Sequence, residues 1–358
     1  IAALRENADN QSEANIVIEE GKENFSENFH ILKFLDSDDS LSAISVIENV
    51  QNLGNSKNDR NQSWIEDIQI SLPDVITGFY GSDEFVFQTC GMAGMHGPDL
   101  AKCISFYNVD WVKNGNYFSI WKTGLFKKSK NGIQKVKIPY SAEYEFTAFG
   151  AGWTNYGAMA KSDVKLQNGT QIFIGIGQRG KNTDDGCGGT FVAIRENGKF
   201  IPIIIAGGAG GGPKEEEYGN GSNDEFGNRS EEIEERNKHI GKGGKSGSSN
   251  YYNGGNGFEG RIKGNWEYTE EMPKSFEDGL NGGKWKDYDL EGGFGGGGHG
   301  VGGGGGGYTG GHGGGTYYGC GGGGGSFRHP FSSQNGKGIQ KGPKDPGLLK
   351  IKIIKLFN

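Results

Sequence analysis

Between residues 79 and 206 the chain repeats one pattern. Short runs of β-branched and aromatic residues stand at 85–88, 117–121, 133–138, 144–149, 171–176 and 190–194. Each has the length and composition of a strand, and turn pairs such as Asn131-Gly132, Asn168-Gly169 and Asn197-Gly198 separate them. The run at 200–206 contains Pro202, which has no N–H for a ladder, so it predicts an edge strand or one starting after the proline. No long amphipathic helix intervenes. The pattern predicts an antiparallel β-sandwich.

The flanks read differently. Residues 1–78 are acidic and Asn-rich, with an apolar cluster at 43–50 that suits a short helix or a strand. Alternation from Trp64 to Ile70 resembles an edge strand ahead of Pro73. Residues 207–343 are dominated by glycine, most densely from 292 to 325. The apolar alternation from Leu348 to Leu356 then predicts one more strand. A strand after so long an insertion implies that the glycine region of 207–343 interrupts the sandwich. The segment 344–358 would return to the same sheet.

Composition narrows the reading. Glycine accounts for 69 of 358 residues, about 19% against roughly 7% on average. Collagen needs glycine at every third position and abundant proline, and here there are nine prolines. A disordered chain would lack the 21 Phe, 14 Tyr and 6 Trp. A flexible linker would be rich in serine, yet the dense part holds Phe294, Tyr308, Tyr317, Tyr318 and Phe327 instead. Glycine lets extended backbones approach more closely than any other residue, which allows polyproline-II-like segments to pack laterally. With 37 basic and 44 acidic residues the net charge is −7, and no basic stripe suits nucleic acid.

The compartment is read from cysteines and sequons. Cys90, Cys103, Cys187 and Cys320 match no zinc or CxxC redox spacing and suit two disulfides, with three connectivities open. Asn10, Asn24, Asn61, Asn168, Asn220 and Asn228 each begin an N-x-S/T sequon. No apolar run is long enough to cross a membrane. The beginning at Ile1 lacks the features of a signal peptide, so a mature or excised fragment of an extracellular protein is expected.

Several motifs are decoys. Gly175-Ile176-Gly177-Gln178-Arg179-Gly180 is a formal GxGxxG after a strand, but turn-forming residues follow it where a dinucleotide site needs a helix. Gly244-Lys245-Ser246 lacks the earlier glycine of a P-loop, His239 standing in its place. His299, His312 and Cys320 could be drawn as a metal site, though loop histidines and an oxidised thiol account for them as well. Carboxylate runs such as Glu215-Glu216-Glu217 read as solvated surface. No catalytic motif and no cofactor signature is present.

One resemblance goes further. Phe87-Gln88-Thr89-Cys90-Gly91-Met92-Ala93-Gly94-Met95-His96-Gly97-Pro98, followed by Cys103, is similar to the membrane-proximal ectodomain of the anaplastic lymphoma kinase and leukocyte tyrosine kinase receptors. The similarity continues in order through 132–139, 144–152, 175–180, 188–208, 292–298 and 303–311, so it covers about residues 85–357. It implies a TNF-like jelly-roll sandwich with an inserted subdomain of packed polyglycine helices. Pairing of Cys90 with Cys103 is implied too, leaving Cys187 for Cys320, and the GxGxxG becomes a strand end and turn. Residues 1–78 would fall where that family has a MAM domain, with 64–70 as its last strand.

This sequence departs from the vertebrate pattern in two ways. The helical insertion after the strand at 171–176 is missing, since Gly180 leads almost directly to Cys187. Lys344 and Leu348 stand where vertebrate receptors carry acidic ligand-contacting residues, so the ligand surface does not transfer and an invertebrate-like member is expected. The EGF-like module, transmembrane helix and kinase domain of the family lie outside these 358 residues. The resemblance implies a non-catalytic receptor ectodomain that binds a secreted protein ligand and brings two receptors together. The alternative is a secreted structural or adhesive glycine-rich protein without signalling.

Overall fold

The computed structural model describes residues 84–121, 132–230, 254–260, 269–314, 319–329 and 339–357, with the strand backbone of the N-terminal region. The chain divides into two units, Ile1–Leu72 and Pro73–Asn358. In the first, β1 (Ala3–Leu4), β2 (Asn15–Gly21), β3 (Phe29–Leu35) and β4 (Leu41–Ile44) form an antiparallel sheet in chain order. The start of the 43–50 cluster is thus strand, in β4. The expected strand at 64–70 lies outside the described residues.

The second unit opens with β5 (Glu84–Phe87), α1 (Leu100–Tyr107), α2 (Asp110–Lys113) and β6 (Phe118–Trp121). β7 (Ile133–Lys137), β8 (Ala142–Phe149), β9 (Ala158–Leu166), β10 (Gln171–Gly175), β11 (Thr190–Glu196) and β12 (Lys199–Ala206) follow. The glycine region contributes β13 (Thr269–Glu271), β14 (Lys284–Trp285), β15 (Phe327–Arg328) and β16 (Ile339–Lys341), and β17 (Leu348–Leu356) closes the chain. Two large antiparallel sheets result, ordered β15-β12-β11-β10-β7-β6 and β16-β9-β8-β17-β5, while β13 and β14 pair with each other. The returning strand is therefore interior: Ile351 pairs with Phe146 on one side and Phe85 on the other.

One core lies between the two sheets. β8 alternates strictly, sending Ala142, Tyr144, Phe146 and Ala148 inward. They meet Ile172, Ile174, Val192 and Ile204 of the other sheet. That other sheet is also covered on its far side. Phe173, Phe191, Ala193 and Ile205 pack there against Phe258, Phe276, Leu280 and Phe294 of the glycine region. Burial on both faces explains why β10 to β12 read as continuous apolar runs rather than as alternation. Each buried Phe contributes roughly 1.5–3 kcal/mol, so the aromatics between the glycines act as anchors.

Pro202 neither makes β12 an edge strand nor marks its start, since the strand begins at Lys199 and lies between β15 and β11. A bulge between Val192 and Ala193 changes the register opposite it, and β15 pairs only with Ile204 and Ile205, so no neighbour requires a proline N–H. α1 is capped by Asp99, whose Oδ1 accepts the Lys102 N–H at 2.8 Å, and ends at Asn108 in the left-handed region. The Cys90–Cys103 disulfide ties this helix to the segment after β5.

The glycine region is held backbone to backbone. Gly321, Gly322, Gly323, Gly324 and Gly325 donate in turn to Gly211, His312, Tyr218, Gly208 and Thr309. Five consecutive donors thus reach well-separated parts of the chain, which a two-sided sheet ladder cannot do. The approach is too close for a side chain: a Cβ on Gly305 would lie 2.2 Å from the Gly208 carbonyl oxygen.

Candidate functional site

The GxGxxG glycines serve packing. A Cβ on Gly175 would strike the Leu280 side chain, one on Gly177 the Gly188 carbonyl, and one on Gly180 the Asp185 Cβ. The residues after Gly180 form turns and not a helix, so no helix N-terminus is presented to a phosphate. Gly244-Lys245-Ser246 lies outside the described residues.

Cys90 pairs with Cys103, but the pairing of Cys187 with Cys320 is not made. The Cys187 N–H bonds Ala209 O, whereas Cys320 packs against Gly212 and points its Sγ at Lys214 O, 3.5 Å away. Both thiols are buried and unbridged, and burial pushes Cys187 up to about 12.

Asp185 is fully buried and holds the entry of the glycine region. Its carboxylate accepts N–H groups from Asn182 at 3.0 Å, Glu291 at 3.2 Å and Gly300 at 3.0 Å. Burial outweighs those donors and pushes the group up to about 6. His299 is buried as well, with Nε2 3.1 Å from Thr269 Oγ1, and burial brings it down to about 4. His312 is buried and its N–H bonds Asn228 O. Among the described residues no three His, Cys, Asp or Glu side chains are gathered to hold a metal ion.

The arrangement best suited to recognition lies at the root of β17. Gly152 N–H bonds Asp345 O, Gly157 N–H bonds Pro343 O, and Gly347 N–H bonds Gly177 O. Arg179 ties these segments together, donating to the carbonyls of Gly152 and Lys344 while its guanidinium lies 5.4 Å from the Trp153 ring. A second clasp is Asn155, buried, which donates to Gly210 O and accepts from Glu216 N–H. It sets Glu215 beside Lys344 at 2.6 Å and Lys341 at 3.3 Å, and both ammonium groups lie over the Tyr156 ring. The Lys344 hydrogen bond holds the Glu215 carboxyl below its ordinary value.

Trp153, Tyr156, Arg179 and Lys344 are all half-buried here, and Lys341 and Asp345 are exposed. Aromatic and arginine side chains on a rigid, partly desolvated platform are what protein-binding surfaces use. The sequence marks Lys344 and Leu348 only as departures from the family's ligand contacts and identifies no binding residue. The platform's members come from four separated segments without a local motif, and Glu215 reads in sequence as solvated surface.

Of the sequons, Asn168 is exposed while Asn220 and Asn228 are half-buried. Asn10, Asn24 and Asn61 lie outside the described residues. No helix among the described residues is long and apolar enough to cross a membrane. No protein-family model matches the chain.

Proposed function

We propose that the chain is the ligand-binding part of the ectodomain of a receptor tyrosine kinase at the plasma membrane. In this reading the sandwich is a TNF-like jelly roll and the glycine segments are polyglycine helices packed as a rigid layer. A secreted protein ligand docks on the platform of Trp153, Tyr156, Arg179, Lys341 and Lys344 and brings two receptors together. Phosphoryl transfer belongs to a kinase domain outside these residues, and the chain catalyses nothing.

The observation that carries the reading is the platform itself: Arg179 and Asn155 fix Trp153, Tyr156 and Lys344 at the root of the last strand by hydrogen bonds to Gly152 O, Lys344 O, Gly210 O and Glu216 N–H. A structural disulfide, Cys90–Cys103, supports an oxidising compartment.

The test joins the chain to a transmembrane helix and a tyrosine kinase domain on cultured cells and applies secreted proteins of the source organism one at a time. Autophosphorylation in response to one of them, lost in Lys341→Glu/Lys344→Glu, is the expected result. Silence towards the whole set, or activation indifferent to those substitutions, contradicts the reading.

A further inference from the structure

Three sequons lie within the described residues, and the fold treats them differently. Asn168-Gly169-Thr170 occupies the turn between β9 and β10. The turn is closed by Thr170 N–H on Gln167 O at 3.2 Å, with Gly169 at φ +81°. Its backbone is fixed by neighbours, Asn168 N–H on Ser141 Oγ at 3.0 Å and Gly169 N–H on Ile138 O at 2.9 Å. The Asn168 side chain is exposed and makes no hydrogen bond among the described residues. Beside it Thr170 lines an open cleft of about 660 Å³, together with Trp121, Gln171 and Arg195.

The other two are consumed by the fold. In Asn220-Gly221-Ser222 the Asn220 Oδ1 accepts the Tyr156 N–H at 2.9 Å. Ser222 is 5% exposed and its hydroxyl bonds Asp224. Even a Cβ has no room at Gly221, where it would lie 2.4 Å from Ala158 N. In Asn228-Arg229-Ser230 the Nδ2 that would carry a sugar donates to Asn220 O at 2.8 Å, and Ser230 is 5% exposed. An N-linked glycan is bulky and must project into solvent. One on Asn228 would replace one of the two Nδ2 hydrogens of a half-buried amide already held by Asn220 O.

We infer that Asn168 is the N-glycosylation site of this part of the molecule and that Asn220 and Asn228 remain unmodified in the folded protein. The inference rests on the extracellular reading, since the modification belongs to the secretory pathway. The glycan would cover the β9–β10 end of the sandwich beside the Thr170 cleft.

The test directs the full chain into the secretory pathway of insect cells with an added leader and maps glycopeptides of the secreted protein by mass spectrometry. Expected is a glycan on the Asn168 peptide, lost in Asn168→Gln with unchanged secretion, and bare Asn220 and Asn228 peptides. A bare Asn168, or a glycan on Asn220 or Asn228 of folded protein, overturns the site assignment. Because the leader forces entry, that failure differs from failure of the compartment reading. The latter would show as a glycan-free protein with reduced Cys90 and Cys103 when isolated from its natural source.

Discussion

The carboxylate of Asp185 accepts the backbone N–H of Gly300 at 3.0 Å, joining the turn after β10 to the densest glycine stretch. The same side chain accepts from Asn182 and Glu291, so one buried acid organises three segments. Its pKa is raised from 3.8 to about 6. A raised pKa contributes stability that is fully present below pH 3.8 and is lost as pH rises through about 6. Two pH units correspond to about 3 kcal/mol as an order of magnitude. Asp185→Asn removes this titration but also replaces one acceptor oxygen by a donor. Its urea midpoint at pH 7 should fall, and the deficit relative to wild type should widen at pH 4.

His299 titrates in the opposite sense. Its pKa is lowered from 6.5 to about 4 by burial, so its contribution is present above pH 6.5 and lost as pH falls through about 4. In wild type the two groups offset each other between those limits. His299→Phe removes the histidine term, so relative to wild type it should gain stability on acidification from pH 7 to pH 4. An unchanged difference across that range, measured by urea unfolding, would refute the assignment.

Gly304→Val would bring a Cβ within 2.2 Å of Gly311 O, against backbone that cannot yield locally. A loss of more than about 3 kcal/mol, or failure to be secreted folded, is expected. Gly115→Ala is the control, because a Cβ there meets nothing within 4 Å; its midpoint should stay within about 0.5 kcal/mol of wild type. Thermal unfolding of both variants checks the pair.

Alkylation of the denatured, unreduced protein should label two cysteines, Cys187 and Cys320, and leave Cys90 and Cys103 for labelling after reduction. Cys90→Ser/Cys103→Ser should cost about 3 kcal/mol in the chain-entropy model for so short a loop. Complete absence of labelling before reduction would restore a second disulfide.

The strands of the sandwich were legible because their inward positions are Val, Ile, Phe and Tyr. β9 was missed: Ala158, Ala160 and Ser162 point inward and Lys161 outward, so nothing in it reads as an apolar run. β15 and β16, which add edges to the two sheets, pair over too few residues for a periodic signal. The return of β17 was legible from its alternation, its interior position was not. Nor was the platform, since Trp153, Arg179, Glu215 and Lys344 come from separate segments that are brought together by Asn155 and the carbonyls of Gly152 and Lys344. That Cys187 and Cys320 stay unbridged is likewise not encoded in their sequence spacing.

Backbone amide exchange across residues 303–306 and 321–325 tests most directly whether the glycine region is a packed structural layer and not a linker. Gly305 and Gly306 donate to Gly322 and Cys187, and each amide from Gly321 to Gly325 has a backbone acceptor. These amides should exchange only through global unfolding, on the timescale of the sandwich strands β8 and β11. Exchange within seconds in native buffer, while β8 and β11 stay protected, would contradict the account.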